Sequence, residues 1–314
     1  MKKLTIGILV LVLIGLGGFF AWKQGMFGGA DVVEYQVDTP APVAVTPTTP
    51  APVVPAPFVA PINKAETVLG TSVENRKITA YHFGADAKAG VKELLFVGGS
   101  HGGYEWNSVL VAYELMEYLQ ANPKSIPDGV RVTVIPAMNP DGLFKTVGKE
   151  GRFTEADVPT PIAKTVSGRY NANTVDLNRN FDCDWQASGM WQNTKVSGGS
   201  AAFSEPESKA IQAYVTAHKP TAAVVWFSAA GGVYASRCGA ITLPETTNIT
   251  KVYADASGYP AHKDFDAYEI TGDMVNWFAK NDIPAISVLL TNHTGTEWSK
   301  NQAGIEALIK HYSK

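Results

Sequence analysis

Apolar residues recur along this chain in two rhythms. Residues 94–97, 222–227 and 285–290 are nearly unbroken apolar runs, residues 130–135 are apolar apart from Arg131 and Thr133, and the runs 94–97 and 130–135 lead into Gly- or Asn-rich segments. Runs this short predict strands buried on both faces. Residues 106–119 and 206–217 instead place apolar side chains every three or four positions, which predicts helices. Ser204 is the expected N-cap of the second helix, and Pro206 falls near its first turn. A last helix is expected over 298–311. Strands that alternate with helices predict an α/β domain: a mixed, largely parallel, twisted sheet flanked by helices on both faces. Ligand sites in such folds lie in the loops beyond the strand ends. No internal repeat is visible.

The first sixty residues follow other rules. Lys2 and Lys3 precede an uncharged, mostly apolar run over 4–22, long enough at helical rise to cross a bilayer. The run ends in Lys23 without a small-x-small cleavage site, which favours an uncleaved signal anchor over residues 1–25. Secretion after cleavage is the alternative. The two lysines orient the N-terminus to the cytoplasm and the remainder outward. Residues 26–62 are rich in Pro, Ala, Val and Thr from position 39 on, the composition of a semi-rigid extended stalk. The globular domain is assigned to 63–314.

With 314 residues and 45% hydrophobic content, the chain can bury a sizeable core. Its formal net charge of -3 gives no basic excess for a phosphate backbone, so nucleic acid is excluded as a partner. A monomer is expected. The two cysteines, Cys183 and Cys238, are too few for a disulfide scaffold. Export favours one bridge between them; two separate buried thiols are the other reading.

Two segments carry chemistry. Gly98-Gly99-Ser100-His101-Gly102-Gly103-Tyr104-Glu105 sits where a predicted strand ends and a helix begins. An imidazole and a carboxylate there can share a metal ion, since glycine neighbours let the backbone turn sharply. A turn histidine and a carboxylate that complements the helix dipole are the alternative. The second segment is Gly168-Arg169-Tyr170-Asn171-Ala172-Asn173-Thr174-Val175-Asp176-Leu177-Asn178-Arg179-Asn180-Phe181. Its Asn178-Arg179 pair offers an amide beside a fork of guanidinium donors, suited to gripping a carboxylate. Arg169 adds a second positive group able to polarise a carbonyl.

In these motifs the sequence resembles the zinc metallocarboxypeptidases, the family of carboxypeptidases A and E. The likeness runs from about residue 69 to 308. It includes, in the family's order, the His101 and Glu105 segment, Asn139-Pro140-Asp141-Gly142, the Asp176 to Phe181 string, Ser204-Glu205-Pro206-Glu207 and Ile283-Pro284-Ala285-Ile286. The resemblance implies one zinc ion, with His101 and Glu105 as its first two ligands. It implies Asn178 and Arg179 as binders of a peptide's terminal carboxylate, and Arg169 as the oxyanion stabiliser. Tyr268 resembles the tyrosine that closes over the substrate, and Val275 the residue at the base of the side-chain pocket, which hints at apolar C-terminal residues.

Three positions depart from the family pattern. The usual His-x-x-Glu spacing is lengthened by one residue between His101 and Glu105, a change that Gly102 and Gly103 can absorb. Phe227 stands where the third zinc histidine is expected. Leu289 stands at the position of the glutamate that serves as general base. Neither side chain can donate to a metal or carry a proton. His293 and Glu297, four apart just after the last predicted strand, are the candidate replacements if their segment is helical. The expected function is therefore recognition of peptide or peptidoglycan-stem C-termini outside the cytoplasm, with hydrolysis impaired. An active zinc carboxypeptidase acting on peptides or cell-wall stem peptides is the alternative.

Overall fold

The apolar runs become the middle of one eight-stranded sheet. The computed structural model describes residues 65–240 and 242–314; the predicted signal anchor and stalk lie outside the described residues. The sheet comprises β1 (Glu66–Thr71), β2 (Lys77–Gly84), β3 (Lys92–Val97), β4 (Val130–Ile135), β7 (Ala222–Ser228), β8 (Gly232–Ala235), β9 (Ala261–His262) and β10 (Ala285–Leu290). Its spatial order is β1-β2-β4-β3-β7-β10-β8-β9. The central strands β4, β3, β7 and β10 run parallel, whereas β1, β2 and β8 add antiparallel pairings toward the edges. This is the expected mixed α/β sheet. A separate hairpin pairs β5 (Ser188–Trp191) with β6 (Thr194–Ser197).

Side-chain alternation distributes the core between the two faces. Leu94 and Phe96 of β3, Val224 and Trp226 of β7, and Ile286 and Val288 of β10 point to one face. They pack there under α1 (Trp106–Ala121), α4 (Pro244–Ser257) and α6 (Trp298–Tyr312). Leu95, Val97, Val225, Phe227, Ala285 and Leu289 point to the other, under α3 (Pro206–His218) and α5 (Met274–Lys280). Each such large side chain contributes about 1.5–3 kcal/mol when fully buried. Among the described residues no helix is long and apolar enough to cross a membrane.

Local rules set the helix ends. The Asn-Pro-Asp-Gly motif starts α2 (Pro140–Val147): the Asn139 side chain accepts from the Gly142 backbone N–H at 2.9 Å, and Pro140 occupies the first turn. Helix α3 begins one residue later than its predicted cap. Glu205 holds that position, and Ser204 turns aside to donate to the Glu205 carboxylate at 2.7 Å.

Candidate active site

A cavity of about 880 Å³ opens beyond the C-terminal ends of the parallel strands. His101 and Glu105 reach it from the β3–α1 loop, Phe227 from the end of β7 and Leu289 from the end of β10. The extra residue between His101 and Glu105 is absorbed at Gly102, which takes a left-handed φ of 44°. Gly103 then presses against the segment preceding Arg169, where its N–H donates to the Gly168 carbonyl at 3.1 Å. As a result His101 Nδ1 and Glu105 Oε1 stand 2.9 Å apart.

Asp176 organises the buried charges and escaped the sequence reading except as one letter of a motif. Its Oδ2 accepts from Arg169 Nε at 3.0 Å and Nη2 at 2.8 Å. Its Oδ1 accepts from the Asn178 backbone N–H and lies 3.3 Å from His101 Nε2. Burial alone would raise the Asp176 carboxyl's pKa, but the Arg169 guanidinium, with His101, holds it well below the carboxylate range. Burial and Arg169 push His101 down, yet Glu105 and Asp176 carry it above the ordinary imidazole value.

The arginine end is densely tied. Asn178 Nδ2 donates to Asp273 Oδ2 at 2.8 Å, and Asn178 Oδ1 accepts from the Met274 N–H at 3.2 Å. Arg179 donates through Nη1 to the Asn178 carbonyl at 3.0 Å and through Nη2 to the Met190 carbonyl at 3.1 Å. Its Nε is buried without a partner. The Tyr268 ring lies 5.9 Å from the Arg179 guanidinium and lines the same cavity. Cys183 and Cys238 form a disulfide with Cα atoms 5.9 Å apart, joining the segment just after this motif to the loop that follows β8.

Two sequence expectations place residues differently from the structure. Val275 does not line the cavity: α5 turns it into the core, and Asp273, Asn276 and Ser287 face the cavity at that end. The cause is the helical period, since Asp273 caps α5 by accepting from the Asn276 N–H at 2.7 Å and Val275 falls on the inner face. Glu297 is not beside His293. Residues 291–297 are not helical, and Glu297 accepts from the Thr291 N–H at 2.6 Å and the Tyr259 hydroxyl at 2.8 Å, at the start of α6. His293 does line the cavity, its ring tilted against Tyr104 with centroids 4.6 Å apart, and with Nδ1 buried and unpartnered. Asn107 holds its loop by donating to the Asn292 and Gly295 carbonyls at 2.7 and 3.0 Å.

Whether these residues fit a zinc ion is a question of donors. His101 and Glu105 present buried atoms without hydrogen-bond partners. Phe227, 5.4 Å from the His101 ring, offers none. Phe227 and Leu289 are register partners on adjacent parallel strands, so both departures fall on one patch of the cavity floor. Among the described residues, the one cluster of three His, Cys, Asp or Glu donors is Cys183, Asp184 and Cys238, and its sulfurs are committed to the disulfide. The set does not fit a catalytic zinc, which takes three protein ligands and an open position.

Comparisons with known proteins agree with the fold. Human carboxypeptidase Z is 32% identical over 124 residues, covering 36% of this chain and 17% of that protein. Metallocarboxypeptidase A of Arthroderma otae is 27% identical over 233 residues, 66% of this chain and 53% of that protein. The chain thus spans less than two thirds of the length of these relatives. Bovine thrombin-activatable fibrinolysis inhibitor, solved with a tick carboxypeptidase inhibitor, shares the fold with a TM-score of 0.61 at 16% identity, covering 79% of this chain and 88% of that one. Murein-tripeptide amidase MpaA from Escherichia coli O157 does so with a TM-score of 0.54 at 17% identity, covering 80% and 93%. The signature of zinc carboxypeptidases matches residues 63–291, and by that match over most of its length the chain belongs to the zinc carboxypeptidase family.

Proposed function

We propose that this domain recognises the free C-terminal carboxylate of peptides or peptidoglycan stems and hydrolyses them weakly or not at all. The observation that carries the reading is the pairing of Phe227 with Leu289 beside His101 and Glu105. An apolar floor replaces a metal donor and a proton carrier at once. Loss of general acid–base catalysis alone removes about 10² to 10⁴-fold in rate. The gripping residues Asn178, Arg179 and Arg169 are all present in the same cavity. Anchoring by residues 4–22 with the domain outside the cytoplasm completes the reading. The Cys183–Cys238 bridge supports it, because such bonds persist in oxidising compartments.

The test is metal analysis and a C-terminal peptide hydrolysis assay on the full chain and on the double variant Phe227→His with Leu289→Glu. Expected are little zinc and little turnover before the exchange, and a gain of both after it. Robust turnover by the unaltered chain would overturn the proposal in favour of an active peptidase.

A further inference from the structure

Arg169 and Arg179 line the cavity, yet each is only 1% exposed. The β5–β6 hairpin lies over both. Its Met190 carbonyl accepts from Arg179 Nη2, and its Trp191 ring lies 4.3 Å from the Arg169 guanidinium. Trp191 also meets Tyr104 edge-on at 5.0 Å. The close approach depends on Gly189. A Cβ there would come within 3.2 Å of Thr271 Oγ1 and 3.4 Å of Arg179 Nε.

Away from its base, little else holds the hairpin down. It forms a sheet of its own, one side chain of its two strands (Val196) is buried, and Met190 is 44% exposed. Its base is tied by Gly198 N–H to the Ala187 carbonyl at 2.9 Å and by Trp185 Nε1 to the Gly198 carbonyl at 2.9 Å. The end of β6 is tied by Asp176 N–H to the Ser197 carbonyl at 3.0 Å and by Asn180 Nδ2 to the Gly198 carbonyl at 2.7 Å, which leaves the β5 side and the turn as the part free to lift. An isolated two-stranded ribbon is marginal without packing.

We propose that the hairpin is a flap which a ligand's carboxylate must displace, so that the cleft admits anionic chain ends and turns neutral ones away. This rests on the carboxylate reading above. A carboxylate offers Arg179 two oxygens and a full charge in place of one neutral carbonyl, a bond of the stronger, bidentate kind. An amidated chain end offers only another neutral oxygen, no better than the one Met190 already supplies. Discrimination between acid and amide is then partly the work of the flap. Trp191 and the Met190 carbonyl become specificity determinants as well as cover.

Two variants loosen the flap by different physics: Trp191→Ala removes the stacking on Arg169, and Gly189→Ala inserts a methyl group between hairpin and Arg179. In the unliganded full chain, phenylglyoxal should modify Arg169 and Arg179 slowly, and about fivefold faster in either variant, the scale of one cation–π contact. Peptide-specific mass spectrometry reads both sites. Trp191→Phe should restore slow modification. Titration with an acid-terminated peptide should show both loosened variants binding more tightly than the unaltered chain. Equal modification rates, or weaker peptide binding by both variants, would overturn the flap and leave Trp191 as ordinary lining. Rates that differ while no peptide acid binds any of the proteins would instead retire the carboxylate reading.

Discussion

The two halves of the cavity are built to different standards. At the arginine end, Asp176, Asn178, Arg179 and Asp273 are linked through side chains and backbone, and most of their polar atoms are engaged. At the His101 end, the imidazole nitrogens meet only the Glu105 and Asp176 carboxylates, Glu105 Oε2 has no hydrogen-bond partner, and the neighbouring floor is phenyl and isobutyl. Holding an anion needs only fixed donors, and those are supported on every side. Splitting a peptide needs donors that converge on one further atom, and there the supply stops. Under the proposed function, a grip and a reaction are therefore separable in one fold.

The largest expected effect comes from the residue that both halves share. Asp176→Ala leaves the Arg169 guanidinium buried without its carboxylate, and breaking such a pair costs about 3–5 kcal/mol. A denaturant midpoint lowered to match, together with loss of peptide binding, is expected. An unchanged midpoint would show that the two ends stand independently. Next in size is Arg179→Ala, which should weaken binding of acid-terminated peptides by about 3 kcal/mol, the scale for losing one partner of a charge-assisted pair. Calorimetry with the same peptide as its amide should reproduce the loss in the unaltered chain. Equal affinity for acid and amide would detach the arginine end from carboxylates.

The smallest effect separates the site from the scaffold by pH. His82 bridges Thr133 and Thr67 through hydrogen bonds of 3.0 Å, and burial, with Arg131 and His218, lowers it to about 4. The unfolded chain then takes up this proton first. Stability is complete above pH 6.5 and falls as pH drops from 6.5 to about 4, by on the order of 1 kcal/mol after solvent screening. Asp176 stays ionised throughout that window, so peptide binding should outlast the decline. Thermal midpoints that do not move between pH 7 and 5, or that move equally in His82→Gln, would remove His82 as the cause.

Strands β3, β4, β7 and β10 were legible because burial on both faces leaves mostly apolar runs, interrupted only by Arg131 and Thr133 in β4 and Ser287 in β10. The β5–β6 hairpin was not, since Ser188–Trp191 and Thr194–Ser197 are short, mostly polar and joined by Gln192-Asn193, which lacks the usual glycine signal. The Asn178-Arg179 motif could be read from its consecutive residues. Asp176 gained its role only through three-dimensional convergence on His101 and Arg169 from other elements. Val275 was misplaced because a count of residues along the chain says nothing about which side of α5 they occupy.

The register pairing of Phe227 with Leu289 also constrains which exchanges the fold accepts at this patch. An imidazole introduced alone would sit against leucine with a ring nitrogen left without company, and a carboxylate introduced alone would sit against phenylalanine. Either intermediate carries a desolvation cost of about 1–3 kcal/mol or more before any benefit appears. The greasy pair is thus coupled through the fold: Phe227→His or Leu289→Glu made alone should lower stability more than the two exchanges made together.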